Sequence, residues 1–144
     1  MAEPTGSAQE TQIIQKIDLY LEGWKSHGSP VPGKAEILYG HFVVVRAQPG
    51  STSGCSIDDM TRSVTNLIEA AGCRIIPSNV VFYRNEGQAI SSLDFRELGA
   101  AISSGTLRPD TTIFTTSMMS ESEFGIFEQP LSKSWAARLL PKTV

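Results

Sequence analysis

The chain has 144 residues, 12 basic and 15 acidic side chains and a net charge of −3. That length fits one domain able to bury its own core without staples, and an apolar fraction of 40% with 19% charged residues excludes a disordered chain. The acidic balance argues against a general nucleic-acid binder, which needs positive surface to displace counterions from phosphate.

Met1 to Gly6 reads as a loose tail, polar and without the basic flank and apolar centre of a secretory signal. Tails are expected over 1–8 and 141–144, with one domain over 9–140. Ser7 to Glu10 has the Ser-x-x-Glu form of a capping box. Behind it Ile13, Ile14, Ile17, Tyr20, Leu21 and Trp24 recur at helical spacing. This predicts an amphipathic helix ending near Gly28, with His27 at its C-terminal end, where a protonated ring would suit the carbonyls. Pro30, Pro32 and Gly33 predict an irregular loop over Ser29 to Lys34.

Ile37–Tyr39 and Phe42–Ala47 read as strands joined by a two-residue turn at Gly40-His41. The unbroken run Phe42 to Val45 predicts a strand covered on both faces. Ser56 is expected to start a second helix with Asp58 and Asp59 in its first turn. Ile57, Met60, Val64, Leu67 and Ile68 form its stripe, and Gly72 stops it. Val80–Arg84 is a strand whose hairpin partner is Ala89–Ser91. Ser92 or Asp94 starts a third helix with Phe95, Leu98 and Ile102 on one face. Arg108-Pro109-Asp110 is a turn and Thr111–Thr116 a β-branched strand. Ser117–Gly125 reads as either a surface loop or a short helix, and Met118-Met119 within it as exposed or as core filler. Leu131–Leu140 can hold a last short helix through Trp135. Together these predict an α+β fold: about five mainly antiparallel strands, two hairpins plus one, with three or four helices packed on the sheet.

Gly28 to Ala35 nearly matches the phosphate-binding loop Gly-x-x-x-x-Gly-Lys-Ser/Thr. Ala35 has no hydroxyl for magnesium, and Pro30 and Pro32 lack N–H groups for phosphate. A helix before and a strand after is also the reverse of that motif's setting, so an ATPase is excluded.

The segment Ser53-Gly54-Cys55-Ser56-Ile57-Asp58 is the better candidate. A helix start carries unpaired N–H groups and a partial positive charge, which can bind an anion or lower a thiol pKa. Gly54 permits close approach, and Ser53 and Ser56 add hydroxyls. Against this, Ser56 with Asp59 resembles a capping box, both aspartates already occupy the positive end, and Cys55 can be a small apolar residue under the helix. His27 can partner Cys55 as a general base or simply cap a helix; His41 is a turn residue. Trp24 and Trp135 read as core or interface anchors. Arg138 shares a face with Trp135 if that segment is helical and can reach a carboxylate, such as Asp58 or a ligand's, or form a plain surface ion pair. Cys55 and Cys73 sit at opposite ends of one helix, about 22 Å apart at ~1.5 Å per residue, too far for a disulfide. Two distant cysteines and two histidines offer no metal set.

Trp24 with His27-Gly28, the Ser53–Asp58 segment, and Pro130-Leu131 followed by Ser134-Trp135 and Arg138 together resemble a family of small uncharacterised bacterial proteins. Some of these carry the label "ABC transporter ATPase". The resemblance runs from about Ile13 to Leu139 and implies a cytoplasmic bacterial setting but no activity. The functional expectation is non-catalytic binding of a small anion or a protein partner through the Cys55 loop, with Ser53, Gly54, Ser56, Asp58, Trp135 and Arg138 as contacts. The alternative is a thiol-dependent enzyme or redox sensor using Cys55 with His27. No cofactor, metal, nucleic acid or membrane partner is expected, and the chain is expected as a monomer or homodimer.

Overall fold

A computed structural model describes residues 1, 4–76, 79–116 and 121–141, with 121–123 described by backbone alone. The chain is an α+β fold with antiparallel pairing throughout. It divides into two compact units, Met1–Ile76 and Pro77–Val144, a finer division than length alone suggests.

Unit 1 begins with α1 (Ser7–Glu22), whose Ile13, Ile17 and Leu21 recur every fourth residue and are buried. The expected cap is displaced: Gly6 is the N-cap, and no side chain caps this helix. Glu10 instead accepts from the Thr5 hydroxyl at 2.8 Å. Two residues of the segment read as a tail, Met1 and Thr5, are held in this unit. Met1 is buried, its amino group donates to the His41 carbonyl, and Thr5 N–H reaches the Gly40 carbonyl at 3.0 Å.

The helix ends at Glu22, well short of Gly28, because Gly23 has poor helix propensity and tertiary bonds claim the residues after it. Lys25–Ser26 (β1) and Ser29–Pro30 (β2) form a short antiparallel hairpin where the end of the helix and the start of a loop were expected. Its turn is His27-Gly28 at φ 51° and 80°, the paired left-handed residues of a type I′ turn. His27 therefore caps no helix.

β3 (Gly33–Leu38) and β4 (Phe42–Ala47) come next as a two-stranded ribbon. The turn lies one residue earlier than expected, with Tyr39 and Gly40 at positive φ and His41 N–H bonded to the Leu38 carbonyl. His41 is buried, and its Nδ1 lies 2.9 Å from the Met1 carbonyl. Ala35, Ile37, Val43 and Val45 turn one ribbon face onto the helices. Val44 faces the other way and is only half-buried, as are Val43 and Val45, so β4 is not sealed on both faces. α2 (Gly54–Ala70) completes the unit, with Val64 and Ile68 buried against α1 and Gly72 stopping it at φ 87°.

Unit 2 is a four-stranded sheet in the order β6-β5-β7-β8, built from β5 (Val80–Arg84), β6 (Ile90–Asp94), β7 (Thr112–Phe114) and β8 (Glu128–Pro130). The expected hairpin and lone strand are present, but β6 runs on through Ser92 to Asp94, where a helix start was expected at Ser92 or Asp94; β8 was not expected. α3 is only Leu98–Ser103, preceded by a 3-10 turn at Phe95–Glu97 that Asp94 caps. Val81, Leu98, Ile102, Leu107, Ile113, Leu131 and Ala136 form its core. The expected last helix is two 3-10 turns, Leu131–Lys133 and Trp135–Leu139. A further 3-10 turn spans Glu121–Ile126, and Met118-Met119 lies outside the described residues.

Candidate functional site

The start of α2 is built by three residues from the segment after α1. Trp24, 3% exposed, donates its indole N–H to the Ser56 carbonyl at 2.9 Å. Ser26, on β1, donates its hydroxyl to Ser53 Oγ at 3.0 Å. Gly33 supplies the shelf: a Cβ there would meet the Trp24 ring at 3.1 Å and the Arg46 carbonyl at 3.3 Å. The near-phosphate-loop pattern thus has a packing explanation. Gly28 is a hairpin turn, Pro30 lies in β2, and Gly33 clears space for an indole.

The cap sits three residues earlier than the sequence suggested. Ser53, not Ser56, is the N-cap of α2. Its Oγ accepts from Ser56 N–H at 3.2 Å, while Ser53 N–H donates to Ser56 Oγ at 2.7 Å. This is a capping box with serine in both places, and Ser56 is buried rather than facing a ligand. The shift changes the electrostatics. No acidic residue lies in the first turn, and Asp58 and Asp59 fall in the second. Asp59 Oδ2 instead accepts from the Tyr20 hydroxyl on α1. Burial and this carboxylate hold the Tyr20 phenol above its ordinary range.

Of the first N–H groups of α2, those of Ser53 and Ser56 are consumed by the box. Those of Gly54 and Cys55 have no partner among the described residues. Both residues are exposed, and a Cβ added at Gly54 would meet nothing within 4 Å. Cys55 is a free thiol at the second helical position, neither an apolar plug under the helix end nor joined to Cys73. Cys73 lies past the other end and accepts from Gln9 Nε2 at 3.0 Å.

Trp24, Ser26, Ser53 and Ser56 are therefore one bonded cluster, with His27 in the turn directly after Ser26 and Asp58 exposed one helical turn along. Ser26 was missed; a short serine between Trp24 and His27 carries no signal by itself.

Trp135 and Arg138 belong to unit 2. Trp135 is 40% exposed and stacks on Phe95, ring centroids 5.8 Å apart. In a 3-10 turn residues three apart eclipse, so Arg138 does share the Trp135 edge. Among the described residues of its unit it forms no ion pair. Phe95 was expected on a buried stripe with Leu98 and Ile102. The 3-10 start winds about 120° per residue, not 100°, and moves it off that stripe to 45% exposure. Beside it Arg96 is committed to Asp94, and its guanidinium and N–H hold that carboxyl below its usual range.

Among the described residues two surface concavities stand out, and neither is lined by residues of Ser53–Asp58. One, of about 640 Å³, is lined by Lys16, Leu19 and Tyr20 of α1 with Ser63, Asn66, Leu67 and Ala70 of α2. The other, of about 570 Å³, lies in unit 2 beside Phe95 and Trp135. Among the described residues no group of three His, Cys, Asp or Glu is placed to hold a metal ion, and no helix is long and apolar enough to cross a membrane. No protein-family model, curated protein or solved structure matches the chain.

Proposed function

We propose that this chain is a non-catalytic binding protein that takes a small oxyanion on the first turn of α2. One observation carries the reading: Gly54 and Cys55 are exposed and their N–H groups have no partner among the described residues, in a first helical turn without acidic side chains. Two N–H donors and the partial positive charge of the helix favour an anion there. The hairpin and the Trp24 indole brace the turn from beneath, so little ordering cost attends binding. Titration of the isotopically labelled chain with inorganic phosphate tests this. Saturable amide shifts centred on Gly54 and Cys55 are expected, abolished by Gly54→Asp. Shifts scattered over the surface, or unchanged by Gly54→Asp, would overturn it.

A second reading is supported by the exposure of Cys55, which a reactive thiol requires. It predicts iodoacetamide alkylation of Cys55 at neutral pH faster than a model thiol. A rate equal to or below the model thiol's removes it.

A further inference from the structure

The geometry points to a second binding surface, in unit 2: we propose that the cavity beside Trp135 takes an extended segment of a partner protein, carrying a large apolar side chain with an acidic residue two positions away. This goes beyond the anion site, which lies in the other unit.

The cavity marks a fork in the sheet. β5 pairs with β7 only at Phe82↔Phe114 and Tyr83↔Ile113. Continued, that register would place Thr115 opposite Val81 and Thr116 opposite Val80. Instead the strands part, and Val80, Val81, Thr115 and Thr116 line a cavity of about 570 Å³. Its remaining rim includes Phe95, Ile126 and Trp135, which are 45%, 39% and 40% exposed.

The backbone at the fork selects the occupant's class. Phe95 N–H bonds to the Asn79 carbonyl, and Asn85 N–H to the Ala89 carbonyl. Hydrogen bonding alternates along an antiparallel pair, so odd-numbered residues of β5 bond β6. Even-numbered ones, Val80 and Phe82, direct their N–H and C=O toward β7. Phe82 meets Phe114 there; Val80 meets no hydrogen-bonding partner among the described residues. A strand N–H and C=O left open beside an apolar cavity match an extended peptide, which supplies main-chain partners and side chains together. An apolar small molecule would leave both groups unsatisfied.

Charge sets the second half of the motif. Arg138 lies one 3-10 turn beyond Trp135 on the same edge, about 6 Å along at 2.0 Å rise per residue. It is exposed and forms no ion pair among the described residues of its unit. In an extended peptide, residues two apart face one way and stand about 6.6 Å apart. With the peptide running along that edge, a side chain seated against Trp135 and Phe95 places an aspartate or glutamate two residues on beside the Arg138 guanidinium.

Selection of random displayed peptides on the immobilised full chain tests this. Enrichment of an apolar-x-Asp/Glu motif is expected. A synthetic peptide of that consensus should bind at least ~10-fold more weakly to Trp135→Ala, as for a central aromatic anchor. Arg138→Gln, at an exposed position, should weaken it about 5-fold and erase the difference between the acidic peptide and its amide counterpart. The Val80 amide should shift on binding. No consensus, a consensus that binds Trp135→Ala unchanged, or equal loss from the amide peptide on the wild type and Arg138→Gln chains would overturn the proposal. Arg138→Gln keeps the test decisive should Trp135→Ala fail to fold.

Discussion

The start of α2 in unit 1 and the Trp135 turn in unit 2 are built from opposite materials. At the first, every polar side chain of the cap is already spent on another part of the same unit. Ser53 answers Ser56 and Ser26, and Ser56 offers its carbonyl to Trp24. Beside the exposed Cys55 thiol, only backbone remains open at that helix start. At the second, side chains are open and apolar, stacked at the rim of a cavity, and a strand has lost its neighbour. The contrast teaches how two kinds of surface arise. Saturated polar bonding fixes a helix end and leaves only the N–H groups that no side chain can reach. Interrupted sheet pairing leaves a concavity, because the parting strands carry their side chains away from each other.

The sharpest break of this comparison is through the cores that support the two regions. Ile17→Ala in unit 1 and Ile113→Ala in unit 2 each remove a fully buried side chain. Each should cost about 2–5 kcal/mol, measured by urea unfolding and localised by amide exchange in the unit that carries the change. The cap comes next. Ser53→Ala should cost roughly 0.5–2 kcal/mol, whereas Ser7→Ala, where no side chain caps α1, should stay within about 0.5 kcal/mol. Equal losses would restore Ser7 as the cap that the Ser-x-x-Glu pattern suggests for α1. Trp24→Phe keeps an aromatic ring and deletes the indole donor to Ser56, for about 0.5–1.5 kcal/mol. Faster exchange of the Ser56 and Ile57 amides, which are bonded to Ser53, would show in that variant that the indole braces the helix start.

The smallest effect is one of pH. Burial and the Asp59 carboxylate raise the Tyr20 phenol pKa above its reference of 10.0. In the interval between the unfolded and folded values, the folded chain keeps a proton that the unfolded chain has lost. The stabilisation is therefore complete below the unfolded value and fades as pH rises through the folded one. Ultraviolet titration should show Tyr20 ionising late, and Tyr20→Phe should remove both that step and its share of the alkaline stability loss.

Much of the frame was legible. The four-residue recurrence of Ile13, Ile17 and Leu21 marks a helix, and the apolar runs on either side of Gly40 and of Asn85–Gln88 mark two hairpins, the first with its turn one residue off. Helix limits were not legible. Trp24 continues the α1 spacing, yet leaves the helix because its indole bonds Ser56, 32 positions away. Ser53 and Ser56 are equally good caps by type, and only the hydroxyl of Ser26 and the packing of Trp24 distinguish them. Phe95 fits a helical stripe that a 3-10 turn then rotates past it.

Ser53–Asp58 is a single motif in the sequence, and its parts separate in the fold. Its position at a helix start, the freedom of Cys55 from Cys73 and the α+β class are set by the sequence, because these depend on local spacing and apolar period. Which serine caps, where the aspartates fall relative to the first turn, and whether the thiol meets water were decided by tertiary structure. Those outcomes turn on bonds to Trp24 and Ser26, residues 32 and 27 positions away from their partners, which leave no trace in local pattern. The fork beside Trp135 is the extreme case. A strand's length is written in its own residues, but the place where its neighbour departs depends on what both strands pack against.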